Sequence, residues 1–84
     1  MKIFQLTILI FLVSSNLFAN TKFFNEGLIL YEKKEFEKAK FKFEQNLVFN
    51  PKSENTYLYL SKIFSYKKNK KLEEQNLNTV ILLN

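Results

Sequence analysis

Thirty-four residues after Gly27, the apolar pattern of GLILYEKKEFEKAKFKFEQNLVFNP (Gly27 to Pro51) begins again at Ser61. A chain that repeats itself at such a period has few folds open to it. Each unit must be a small supersecondary element whose apolar face is covered by the next, and at this length that unit is a helical hairpin. Taken alone, the stretch reads as a helix, a short break and a second helix. Pro51 ends the second helix, because the residue before a proline is pushed out of the helical region.

Composition agrees with helices and narrows the chemistry. The chain has 84 residues, 46% hydrophobic and 25% charged, which bounds it to one small globular domain. A single Gly and a single Pro leave little for the turns of a strand-rich fold. All thirteen basic residues are Lys, and Asp, His, Cys and Trp are absent. Abundant Asn, Lys, Phe and Ile fit an AT-rich coding sequence, so single lysines and phenylalanines carry little functional meaning. Without His or Cys there is no His/Cys zinc site and no Cys or Ser–His nucleophile. One glycine cannot build a phosphate-binding loop. Neighbouring carboxylates such as Glu73 and Glu74 point about 100° apart on a helix and do not converge on one substrate. No enzyme and no cofactor are expected.

Residues 1–19, MKIFQLTILIFLVSSNLFA, carry the pattern of a secretory signal peptide. Lys2 supplies the positive start, Ile3 to Val13 the apolar run, and Ala19 a small residue for cleavage. The run falls short of the roughly 20 apolar residues that span a bilayer, although an uncleaved anchor stays open as the alternative. No Cys follows for lipidation, which favours a periplasmic or secreted bacterial product over a lipoprotein. Without disulfides, residues 20–84 would rely on helix packing.

The first helix is predicted over roughly Lys22 to Lys33, capped by Asn20 or Thr21, with Phe23, Gly27 and Leu30 on one face. Gly27 in mid-helix costs up to about 1 kcal/mol relative to Ala; close approach of a second helix would explain it. The second helix is predicted over roughly Phe36 to Val48, on the stripe Phe36, Ala39, Phe43 and Leu47. KAKFKFE within it alternates like a strand, but the stripe runs beyond it at helical spacing. Ser53 caps a third helix, roughly Glu54 to Lys67, whose inward face is Tyr57, Leu60, Ser61 and Phe64. Asn69 caps a fourth, Lys70 to about Leu83, with Leu77, Val80, Ile81 and Leu83 as its apolar face. Lys67, Lys68, Lys70 and Lys71 surround the turn between these helices and read as a solvated loop.

These residues resemble the tetratricopeptide repeat. Phe23, Gly27, Phe36, Ala39, Phe43 and Pro51 stand at the spacing of that family's motif, and Tyr57, Ser61, Phe64, Leu77 and Val80 make a second copy without insertion. The second copy departs from the pattern where Lys70 and Glu73 take the places of Phe36 and Ala39. Asn46 also stands where the family has a small residue. The resemblance implies an all-α fold of tandem antiparallel helix hairpins behind a signal helix, with repeats over about 20–53 and 54–84. It further implies that the second repeat is incomplete at its end, Asn84 being the counterpart of Asn50. First helices would line a concave groove, placing Phe24, Leu28, Tyr31, Leu58, Lys62 and Tyr66 on it. The Lys and Asn with which some members hold a peptide C-terminus are replaced by Phe24 and Leu28, so an apolar or aromatic peptide suits the groove better. Packing of Phe24 and Leu28 against a neighbour is the alternative.

The resemblance therefore implies a non-enzymatic scaffold that binds a protein or peptide partner. Self-association through the C-terminal helix is the second expected contact, because a terminal hairpin lacks the neighbour that would cover it. Nucleic acid is not expected: the chain has no Arg for bidentate phosphate or guanine contacts. Membrane association is expected only with an uncleaved N-terminus, as an inner-membrane-anchored adaptor.

Overall fold

A computed structural model describes residues 22–84, and among them every regular element is α-helical. The signal-peptide reading and the Asn20 or Thr21 cap fall outside the described residues. Helix α1 spans residues 22–32. It is followed by α2 (Phe36–Phe49), α3 (Glu54–Tyr66) and α4 (Lys70–Leu83). From the end of α1 onward, the boundaries lie within one residue of those the sequence suggests.

Local chemistry explains where the helices start and stop. Ser53 accepts the Thr56 N–H at the start of α3, and Asn69 accepts that of Leu72 at the start of α4. Each cap satisfies one of the N-terminal amides that a helix leaves without an internal partner. The start of α2 has no such cap, because Glu35 makes no side-chain bond to its backbone. Two turns close the hairpins, and they are copies of each other. In the first, Lys34 takes φ 62° while Lys34 N–H reaches the Tyr31 carbonyl and Glu35 N–H that of Leu30. In the second, Lys68 takes φ 59°, with Lys68 N–H on Ser65 and Asn69 N–H on Phe64. Both are Schellman turns, which satisfy the last helical carbonyls through one left-handed residue.

Aromatic contacts fix how the helices lie. Phe23 near the start of α1 stacks on Phe49 at the end of α2, centroids 5.7 Å apart. Tyr31 near the end of α1 meets Phe36 at the start of α2 at 5.5 Å. The pair is antiparallel. Helix α3 runs in the direction of α1, since Phe24 contacts Tyr59 and Tyr31 contacts Tyr66. Between the hairpins lies the core: Ala39 and Phe43 from α2, Leu60, Ile63 and Phe64 from α3. Gly27 explains its own presence. A Cβ built there would stand 2.6 Å from the Phe43 ring, closer than side-chain atoms approach.

Asn46, which the sequence marks as a misfit, is buried, and so is Thr56, which the sequence did not single out. Asn46 donates from Nδ2 to Thr56 Oγ1 at 2.8 Å, and the Thr56 hydroxyl lies 2.7 Å from that of Ser53. A buried amide left unpaired costs about 1–3 kcal/mol, so this link between α2 and the α3 cap lets Asn46 stand in the core.

The fourth helix differs from expectation. No residue of α4 is buried. Ile81 is 70% exposed and Leu77 lies at the rim of a groove, while Val80 and Leu83 are half-buried. The unexpected Leu72 packs against the core. Physically, α4 packs chiefly against α3, so its side chains are covered mainly from one direction, whereas α3 packs against both α2 and α4.

Candidate partner groove

The open side of the second hairpin forms a groove of about 510 Å³. Its walls are Leu58, Lys62 and Tyr66 from α3, Leu77 and Glu73 from α4, and Tyr31 reaching over from α1. Successive helical turns on α3 put Leu58, Lys62 and Tyr66 in one row, four residues apart. Ser61 lies at the base, and its hydroxyl donates to the Leu58 carbonyl at 2.6 Å, so it is spent within its own helix.

Aromatic packing sets the shape of this surface. Tyr66 stacks on Phe36 at 4.6 Å with the rings within 18° of parallel, yet leaves 63% of its surface in water. Lys62 holds its ammonium 4.8 Å from the Tyr59 ring centroid, a cation–π contact that orients a long, otherwise free side chain. Burial pushes the Tyr31 phenol above its ordinary pKa, and the nearby Tyr66, Tyr59 and Glu32 act in the same direction. Tyr31 therefore stays a neutral hydroxyl at the edge of the groove. The result is an apolar, aromatic-walled trough with one cation and one carboxylate on its rim.

The six residues placed on a groove by sequence divide. Tyr31, Leu58, Lys62 and Tyr66 come together here. Phe24 and Leu28 do not: both pack against the core, Phe24 between Phe43 at 5.7 Å and Tyr59 at 6.1 Å. Packing against α3 leaves these two side chains half-buried against the core rather than on the groove. Of the residues assigned to the repeat core, Ala39, Phe43, Ser61 and Phe64 are buried as well as Gly27. Phe23, Leu30, Phe36, Leu47 and Tyr57 are half-buried, and Pro51 is exposed. Tyr57 ties its helix back to the turn by donating to the Pro51 carbonyl at 2.9 Å.

A second groove was not foreseen. It lies on the outer face of the first hairpin, occupies about 670 Å³, and is floored by Ile29, Leu30 and Phe41. Ile29 and Phe41 are 57% and 59% exposed, a large apolar surface for so small a fold. Glu26, Glu37, Lys38 and Lys42 rim it. Glu26 Oε1 is shut off from water and makes no hydrogen bond, but forms an ion pair with the Lys42 ammonium 3.5 Å away. The signal for this groove was present in the sequence as Ile29, an apolar residue off the Phe23/Gly27/Leu30 face.

Among the described residues, no three potential metal ligands come together, and no helix is long and apolar enough to cross a membrane. No protein-family model, curated protein or solved structure matches the chain.

Proposed function

We propose that this chain is an exported, non-enzymatic protein-binding module built on tetratricopeptide-like hairpins, which takes an apolar or aromatic segment of a partner into the Tyr31/Leu58/Lys62/Tyr66 groove. The observation that carries this reading is the groove itself, held open by a repeated helix–turn–helix frame with identical Lys turns. Aromatic walls supply rigid contact area at low entropic cost, and a rim charge supplies orientation. Export is read from residues 1–19, and an uncleaved N-terminus would make the same module a membrane-anchored adaptor. Mass spectrometry of the N-terminus after expression with an export pathway separates the two: a start near Asn20 means export, an intact Met1 means anchoring.

Fluorescence anisotropy with a panel of short labelled peptides tests the groove. Tyr66→Ala removes a wall that is exposed, so helical circular dichroism should persist while affinity for the aromatic members falls about tenfold, the effect of losing an interface aromatic. Equal affinity of wild type and variant across the panel would sink the groove reading.

A further inference from the structure

We infer that copies of this chain stack head to tail, the outer face of α1/α2 in one copy seating on the open side of α3/α4 in the next. This names the partner for the groove proposed above and rests on that protein-binding reading.

The argument comes from the thirty-four-residue register, which pairs each position of one hairpin with a position of the other. Glu26, Ile29 and Lys38 line the outer groove of the first hairpin. Their counterparts are Leu60, Ile63 and Leu72. In the second hairpin those three belong to the packing against the first: Leu60 and Ile63 are buried and Leu72 packs on the same cluster. The open groove obeys the converse relation. Ser61, Glu73 and Leu77 line it, and their counterparts Gly27, Ala39 and Phe43 are buried. These parts of the two grooves are thus the unused halves of the interface that already joins the two hairpins within one chain.

Charge completes the match. Leu28 and Leu60 both pack into the core between the hairpins. At the contact between copies their counterparts are Lys62 and Glu26, of opposite sign. Lys62 is exposed, and Glu26 is half-buried at the groove rim, where its Oε1 pairs with Lys42 of the same hairpin at 3.5 Å and the carboxylate keeps the sign opposite to Lys62. Two different faces meeting in this way make a heterologous contact, which extends into an open stack or closes into a ring.

Sedimentation velocity of the purified full chain, from low to high micromolar, tests the inference. The wild type should grow with concentration. Ile29→Glu blocks one face and Lys62→Glu the other, so each variant alone should run as a monomer. Mixed, they retain one intact face each and should form a one-to-one dimer and nothing larger. Glu26→Lys should weaken assembly about tenfold, as reversal of a charge pair does, and the double variant Glu26→Lys/Lys62→Glu should restore it. This pair also guards against misfolding, since a rescued double variant has folded. A wild type that stays monomeric throughout overturns the inference. Assembly that survives Ile29→Glu and Lys62→Glu but not Ile81→Lys overturns it in favour of a symmetric α4 contact. A monomer that still loses peptide binding on Tyr66→Ala overturns the stacking alone and leaves the protein-binding reading standing.

Discussion

Gly27 decides how closely α1 and α2 can meet. On propensity alone, Gly27→Ala should gain up to about 1 kcal/mol of helix stability. The structure reverses that sign, because the new methyl would press on a Phe43 ring that is fully buried and held against Phe24 and Tyr59. Overpacking of this kind costs about 1–3 kcal/mol. Gly27→Ala should therefore lower the thermal midpoint, as followed by helical circular dichroism; a raised midpoint would mean that the ring moves freely. Lys34 and Lys68 show the opposite economy. Both occupy left-handed backbone, the conformation that favours glycine. The chain spends its one glycine on helix contact and accepts strain of about 1 kcal/mol at each turn.

Among the helices, α3 and α4 stand at opposite extremes. Helix α3 carries five buried residues and α4 none, although both are properly capped. Burial, not capping, separates a stable element from one that opens locally. Native-state hydrogen exchange should find the amides of α4 exchanging well before those of α3. Asn69→Ala, which removes the bond to Leu72 N–H, costs about 1 kcal/mol. Its effect should fall mainly on α4, speeding exchange there while α3 keeps its protection. Uniform acceleration across all helices would show that α4 opens only with the whole domain.

At the scale of the molecule, the buried apolar core is shared property. Ala39 and Phe43 come from one hairpin, Leu60, Ile63 and Phe64 from the other, in one cluster. Neither hairpin holds an independent core, so the two should unfold together. Ile63→Ala deletes a fully buried side chain at the centre of that cluster and should cost about 2–5 kcal/mol. Helical circular dichroism and tyrosine fluorescence should then lose their signals at one midpoint, lower than in the wild type. Two separate midpoints would indicate hairpins that stand alone. Charge contributes little by comparison. The Lys67–Glu37 pair that joins the second turn to α2 lies at the surface, where such pairs are worth about 0–1 kcal/mol.

Helix number, boundaries and caps were legible because they depend on local chemistry. Ser53, Asn69 and Pro51 act on backbone groups a few residues away, and the stripe Phe36, Ala39, Phe43, Leu47 states its own period. Which side of a helix meets water is a different matter, since it depends on how many neighbours the helix acquires. Phe24 and Leu28 look like groove residues until packing against α3 half-buries them, and Leu77 and Val80 look like core on a helix that packs chiefly against α3. Asn46 reads as a misfit in its own helix because Thr56, its hydrogen-bond partner, belongs to the next hairpin. Sequence periodicity thus determined the elements and their repeat, while the packing of one hairpin against the other, known only in three dimensions, decided which apolar faces close into a core and which stay exposed.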